Sequence, residues 1–316
     1  MVWGGRRLGV ILHKQLPGAE PFGESWEVSD HLSHHSALEG KGGVTLRDLM
    51  AADRIALLGK AAASYQVFPW LIKFLDANDW LSVQVHPDED AVPRLWHGEG
   101  SKTEAWFVLD AERDSRVYAG LLPGVDEKRL RAALADGTVA DCLYQFHPRP
   151  GDCLFLKAGT VHAVGGGVLM AEVQQTSDAT FRLFDWNRKD AAGKSRKLHI
   201  EEAIASIHWD FGPVHPVRAD GYPLPGERSG ASIRQELVRC RYFELEYLRQ
   251  NEPFTLAGTG RLQVAIGLHG RSYLELRGER QEFVAGETIV LPADADGIRC
   301  VPQSSCGLLL STLPNP

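Results

Sequence analysis

The sequence predicts a mostly β protein built from two related antiparallel barrels with a few decorating helices. Three observations carry that prediction. Short segments of β-rich or alternating apolar pattern recur, most of them punctuated by glycine or proline, without regular helices between them. A run of breakers between Asp210 and Ser232 (Gly212, Pro213, Pro216, Gly221, Pro223, Pro225, Gly226, Gly230) separates a long first block from a second β-rich block over Phe243–Leu313. One pattern also recurs in both blocks. Pro150-Gly151-Asp152-Cys153-Leu154-Phe155-Leu156 and Ala285-Gly286-Glu287-Thr288-Ile289-Val290-Leu291-Pro292 each lead from a Gly-acidic turn into an apolar strand. The 316 residues suit two domains at roughly 150 residues each, with the boundary placed after residue 230.

Taken in order, the first regular element is a helix over Thr45–Leu58, with Thr45 and Asp48 at capping-box spacing. Strand patterns follow at Leu81–Val85 and Glu104–Leu109. A second helix is expected over Asp126–Leu134, then strands at Cys153–Leu156, Val168–Gln174 and Thr180–Phe184. A third helix spans Ile200–Ile207. The second block has turns at Gly258, Gly260, Gly270, Gly278 and Gly286, so the chain reads 1–230 as a domain with helical excursions and 231–316 as a smaller β domain.

Composition excludes several classes. Hydrophobic residues make up 44% and charged residues 24%, near the globular average, which argues against a disordered chain or a fibre. The 34 basic and 41 acidic residues leave a net charge of −7, so a general nucleic-acid coat is not expected. The first apolar stretch, Leu8–Leu12, is too short for a secretory core of about 7–15 residues. No apolar run approaches the ~20 residues of a membrane span. Cys142, Cys153, Cys240, Cys300 and Cys306 are widely spaced and form no Cys-x-x-Cys pair, as expected of free thiols in a reducing cytoplasm.

The chemistry concentrates in Trp80-Leu81-Ser82-Val83-Gln84-Val85-His86-Pro87. The two-residue period of a strand puts Gln84 and His86 on one face, and Leu81, Val83 and Val85 on the other. Glu104 and His162 stand in two further segments and could complete a four-ligand nitrogen and oxygen shell around Zn²⁺ or a similar divalent ion. Taken singly, the first pair reads equally as a polar outer face, Glu104 as a surface acid and His162 as a core histidine. The three clustered histidines His31, His34 and His35 lack an acid or cysteine at ligand spacing and read as surface or pocket-rim residues. The aromatic set Trp26, Trp70, Trp80, Trp106, Phe181 and Trp186 reads as barrel core.

The joint pattern resembles the cupin signature, with Gly151-x5-Lys157-x-Gly159-x2-His162 as its second motif, lysine replacing the usual proline, and Gln84 replacing a histidine in the first. Longer runs narrow the likeness. Glu24–Ser29, Pro69–Asp76, Leu81–Asp88, Lys102-Thr103-Glu104-Ala105-Trp106, Gly159–Ala163 and Glu172–Trp186 are similar to the type I mannose-6-phosphate isomerases in their short bacterial form. The resemblance implies two cupin-like jelly-roll barrels, the first catalytic. It implies one Zn²⁺ per chain, held by Gln84, His86, Glu104 and His162. It also implies a cytoplasmic enzyme interconverting mannose 6-phosphate and fructose 6-phosphate through an enediol, with a small sugar phosphate as its partner and neither nucleic acid nor membrane. Lys73, Lys102, Glu172, Asp178 and Arg182 fall where the family lines its sugar-phosphate pocket.

Chemical reasoning distributes roles among these residues. Lys102 precedes Glu104 by two, points to the same face, and beside a metal should have a depressed pKa that suits a base or relay. Glu172 is the alternative base. Arg182 suits phosphate or enediolate charge, unless it pairs with Asp178 or Asp185. Lys73, in an apolar strand, needs an anionic partner, and Asp178 joins it as a substrate-binding candidate. Glu172, Asp178 and Arg182 share a face only if one strand runs unbroken through Thr176-Ser177. Two other readings stand beside this one: an Fe(II) oxygenase on the same barrel, and a non-catalytic sugar-binding barrel. The second barrel, with His269 alone, is expected to bind no metal. The oligomeric state is not legible.

Overall fold

The computed structural model describes residues 3–95, 98–189, 193–223 and 230–316. Pro225 and Gly226 of the breaker-rich stretch lie outside the described residues. The chain divides into two compact units. One comprises Met1–Leu8, Leu16–Ser25 and Phe74–Val217; the other comprises Gly9–Gln15, Trp26–Lys73 and Arg218–Pro316. A cut at residue 230 and this grouping agree on the C-terminal strands and differ over Gly9–Gln15, Trp26–Lys73 and the stretch from Arg218 to residue 230. Backbone bonds within the second unit account for part of that difference: Ala293 N–H donates to Leu57 O and Asp294 N–H to Ala56 O, each at 3.0 Å.

Eight strands make the first barrel, in chain order Trp70–Ala77, Val83–Val85, Glu104–Ala111, Val117–Leu121, Leu143–Phe146, Asp152–Leu156, His162–Val164 and Val168–Gln175. Their spatial order is first, eighth, third, sixth in one sheet and second, seventh, fourth, fifth in the other. The strands Glu24–Val28 and Val217–Arg218 extend the first sheet, and Phe181–Phe184 extends the second. The second barrel repeats this order with Glu244–Gln250, Phe254–Leu256, Gln263–His269, Arg271–Leu276, Glu279–Val284, Thr288–Leu291, Ile298–Pro302 and Cys306–Thr312; Ile233–Arg239 borders its first strand. Mostly β, two jelly-roll barrels: the expected fold class is the observed one. The recurring Gly-acidic pattern falls on the sixth strand of each barrel, and both turn glycines take the left-handed region, Gly151 at φ 89° and Gly286 at φ 88°.

Strand periodicity decides what each face of the first barrel does. Val83, Val85, Ala163, Phe181 and Leu183 point outward into a cluster with Leu130, Ala133, Ala203 and Ile204. The last four belong to helices Glu127–Asp136 and Ile200–Ser206, so the outer face is apolar because helices cover it. Leu130 is fully buried there, worth about 1.5–3 kcal/mol. The inward cluster holds Trp106, Val108, Val117, Ala119, Leu154 and Val164. Leu81 packs on this inner cluster, against expectation, because the strand proper begins only at Val83.

The helices stand where capping chemistry places them. Asp126 caps Glu127–Asp136 by accepting from Arg129 N–H, and Thr45 with Asp48 forms the expected capping box. The helix expected over Thr45–Leu58 is two, Leu46–Ala52 and Arg54–Leu58. Asp53 leaves helical geometry, and its side chain accepts from Ala56 N–H at 2.9 Å, starting a second helix. Cys142, Cys153, Cys300 and Cys306 are buried free thiols, and Cys240 is half-buried. No helix among the described residues is long and apolar enough to cross a membrane.

Candidate metal centre and active site

One row of residues crosses three strands of the second sheet of the first barrel. Gln84 on the second strand is the partner of His162 on the seventh, and of Arg182 on Phe181–Phe184. The two-residue period that sends Val83 and Val85 outward turns Gln84 inward and carries His86 to the same side. Facing them, Glu104 opens the third strand of the other sheet, between Gln174 and Leu156. Lys102-Thr103 is tied down just before it. Thr103 N–H donates to Gln175 Oε1 at 2.9 Å, and Thr103 Oγ1 accepts from Ala158 N–H at 3.2 Å.

The ligand atoms of His86, Glu104 and His162 all lie within 4.8 Å of one another, and among the described residues these three form the one group of histidine, cysteine or acid side chains so placed. His86 Nε2 stands 3.4 Å from Glu104 Oε2, His162 Nε2 stands 3.3 Å from Glu104 Oε1, and Gln84 Nε2 lies 3.2 Å from His162 Nε2 while its Oε1 accepts from Ser82 Oγ at 3.4 Å. All three clustered side chains are buried. His86 Nδ1 lies 2.7 Å from Ala179 O, and His162 Nδ1 lies 2.9 Å from Thr160 O. These carbonyls take the Nδ1 protons, so Nε2 is the bare nitrogen of each ring, beside Glu104 in both and within reach of the Gln84 amide N–H in His162.

The donor set fits a divalent cation. His86 Nε2 is buried with no hydrogen-bond partner, and both Glu104 oxygens lack a well-aligned bond although Lys102 Nζ stands 3.0 Å from Oε2. Buried acceptors left this way are costly unless a cation meets them. Two imidazole nitrogens and a carboxylate are donors suited to Zn²⁺, and Gln84 could join them through Oε1 on turning its amide over. Burial pushes His86 and His162 below the usual imidazole range, which keeps them neutral and able to donate lone pairs. Burial pushes Glu104 upward, but Lys102 and His162 outweigh it and bring the carboxyl to about 2.

The remaining predicted residues divide. Glu172 is buried, 3.5 Å from Lys102 Nζ, and accepts from Trp106 Nε1 at 3.4 Å. Burial lowers the Lys102 pKa, but Glu104, Glu172 and Asp178 together raise it above the ordinary lysine value, so among the protein's own groups it is an ammonium. The charges of Asp185 and Asp178 act on Arg182. Asp185 binds Arg188 at 2.6 Å and approaches Arg196 at 3.6 Å, while Arg182 Nε is buried without a hydrogen-bond partner. Burial, then the charge of Arg196, lowers the Arg182 pKa.

Asp178 is exposed in the loop that breaks the strand between Gln175 and Phe181, and its N–H donates to Glu99 Oε2 at 3.1 Å. Glu172 and Arg182 therefore lie on separate strands. Lys73 is buried in the second compact unit, with Nζ 4.7 Å from the centroid of the Trp26 ring. His31, expected at the surface or a pocket rim, is buried in a hairpin opposite exposed His34, and its ring sits edge-on to Trp26. Trp106 does more than fill the core. Its indole also donates to Glu172, and its ring meets His162 edge-on at 5.2 Å. The signal for that role is its two-residue spacing from Glu104 and four-residue spacing from Lys102 on one strand face.

Comparison with known proteins agrees with this geometry. The family described as phosphomannose isomerase type I, catalytic domain, matches residues 1–119. The chain is 40% identical over 274 residues to the mannose-6-phosphate isomerase of Streptococcus mutans, covering 84% of each. It is 33% identical to the Bacillus subtilis enzyme of that name, over 83% of this chain and 84% of the relative. The crystal structure of a mannose 6-phosphate isomerase from Bacillus subtilis superposes with a TM-score of 0.86 at 25% identity, covering 98% of this chain and 96% of that one. The strand order of this chain, its buried cluster of His86, Glu104 and His162 and these likenesses agree: the chain belongs to the type I mannose-6-phosphate isomerase family.

Proposed function

We propose that this chain interconverts mannose 6-phosphate and fructose 6-phosphate through an enediol, with Zn²⁺ held by Gln84, His86, Glu104 and His162, as a cytoplasmic enzyme. One observation carries the reading: two neutral imidazoles and a buried carboxylate converge with Lys102 and Glu172, and Arg182 shares the row of Gln84. When bound, the ion supplies a Lewis acid for the oxygen on which negative charge develops, and one carboxylate in the shell leaves a net charge of about +1 for that task.

The protein's own groups supply the rest. Isomerisation removes the proton on C2 of the aldose and returns one to C1, so a base must reach one edge of the sugar chain. Lys102 Nζ, 3.0 Å from Glu104 and 3.5 Å from Glu172, is placed to relay a proton to a substrate oxygen, with Glu172 as the base beside it. Trp106 and Lys102 hold the Glu172 carboxylate in place. Arg182 offers its guanidinium to phosphate or enediolate oxygens, with Arg196 close enough to add to the positive field. Asp178 and Lys73 remain substrate-binding candidates by family position.

A coupled assay of fructose 6-phosphate formation from mannose 6-phosphate tests the reading, on metal-stripped protein with and without Zn²⁺ and with His162→Ala as control. Turnover should return with zinc and be absent from the variant. Zinc bound without turnover on the phosphorylated sugar would move the substrate to free mannose.

A further inference from the structure

His208 closes a ring of contacts around the two turns that carry His86 and His162. The chain leaves His86 through Pro87 to Asp88, whose carboxylate oxygens have separate partners. Oδ1 accepts from the N–H groups of Asp90 at 3.1 Å and Ala91 at 2.7 Å, while Oδ2 lies 2.7 Å from His208 Nε2. The backbone N–H of His208 donates to Gly159 O at 3.1 Å, and Gly159 N–H donates to His86 O at 2.8 Å. The circuit from His86 through Asp88, His208 and Gly159 back to His86 is thereby complete.

The circuit bears on every group at that corner. Gly159 has φ +88°, and a Cβ on it would stand 2.0 Å from His208 Cδ2, so the imidazole packs directly on the turn that leads to His162. The next residue, Thr160, supplies the carbonyl that orients His162 Nδ1. On the other turn, Pro87 O accepts from Lys102 N–H at 3.1 Å. Phe211 stacks on the His208 ring at 4.7 Å and 14°, which holds the imidazole plane in line with Asp88.

We propose that His208 is a positioning residue for the metal site: its bond to Asp88 locks the His86 turn against the His162 turn and keeps the two imidazoles at the spacing a divalent ion requires. The inference rests on the assignment of His86 and His162 as ligands. Removing a group that directly orients a metal ligand costs 10–100-fold in affinity, and His208 acts one bond further out, so about tenfold is expected.

The test compares the full-length chain with His208→Phe, which keeps the ring and its stacking but cannot donate, and His208→Gln, which keeps a donor within reach of Asp88. Zn²⁺ affinity is read by competition with a chelator, and ligand geometry by the absorption bands of the Co²⁺-substituted protein. His208→Phe should release zinc about tenfold more readily, shift the cobalt bands, and lower kcat for mannose 6-phosphate while KM changes little; His208→Gln should recover most of the affinity. Wild-type affinity and bands in His208→Phe would overturn the proposal. Equal losses in both variants would overturn it too, by placing the effect in packing rather than in the bond. His208→Asn, too short to reach Asp88, replaces the phenylalanine variant if that one fails to fold, and the same tenfold loss is expected of it. Chelator competition uses no sugar, so a wild-type chain without turnover would sink the isomerase reading and leave this measurement to decide the role of His208.

Discussion

In the first barrel the third strand opens on Glu104, flanked by Gln174 of the eighth strand and Leu156 of the sixth. In the second barrel the third strand opens on Gln263, flanked at the matching positions by Thr312 and Leu291. The surroundings then diverge. The Gln263 amide is satisfied within its own barrel, donating from Nε2 to Thr312 Oγ1 at 3.0 Å and accepting at Oε1 from Ala257 N–H at 3.1 Å. The seventh strand opens on Ile298 where the first barrel has His162, and Ile298 joins Leu256 and Ala257 in an apolar cluster. Strand order makes the same corner twice. Whether that corner is a ligand shell or ordinary core depends on whether its acceptors find protein donors.

Glu104→Gln tests this difference with the largest expected effect. It gives the first barrel the amide that the second tolerates, so the fold should survive while the one anion of the shell is lost. Turnover should fall by about a thousandfold, or ~4 kcal/mol, the scale of a Lewis-acid contribution. Zinc stoichiometry, assay and a thermal melt of the same preparation check it. A variant that keeps stoichiometric zinc would show that the carboxylate is not what separates the two corners.

Histidines provide the next contrast. His86 and His162 have Nδ1 tied to a backbone carbonyl and Nε2 turned to Glu104, whereas His269 of the second barrel has Nε2 3.2 Å from Tyr247 Oη and its ring edge-on to Tyr222. Burial pushes the His269 pKa from 6.5 down to about 4. The unfolded chain therefore binds the proton first as pH falls, and stability is full above 6.5 and is lost between 6.5 and 4. At 1.36 kcal/mol per pKa unit the loss is about 3 kcal/mol. Denaturant unfolding at pH 7 and pH 4 should show it in the wild type, and His269→Gln should flatten that part of the profile. An unchanged slope in the variant would assign the acid sensitivity to other groups.

Much of this contrast is legible in the amino-acid sequence. Strand alternation places Gln84 and His86 together, and the repeated Gly-acidic turn announces two barrels of one design. Family resemblance, more than spacing, brings Glu104 and His162 to the same point, because contacts between facing sheets leave no local period in the chain. Two of the carboxylates that act on Lys102 escape local reasoning for the same cause. Glu172 reaches it from the neighbouring eighth strand, and Asp178 adds its charge from the loop beyond. His208 gives no signal in the sequence, since its role depends on a glycine and an aspartate far away in the chain. The break at Asp53 can be read from its capping side chain, yet the apolar pattern runs straight through it.

The smallest expected difference lies in the turn that reveals the repeat. Gly151 and Gly286 occupy matching places at φ 89° and 88°, so alanine at either must take a left-handed conformation at a cost of about 1 kcal/mol. At Gly286 a second cost is added, because a Cβ would stand 2.4 Å from Leu12 O, a backbone atom with little freedom to move. Gly286→Ala should therefore destabilise by about 2 kcal/mol, about 1 more than the backbone angle alone demands, read as a shift in the denaturant midpoint. The excess over the backbone cost reports the packing of Leu12 against this turn. A loss of about 1 kcal/mol only would mean that the segment Gly9–Gln15 yields to the added methyl at no cost.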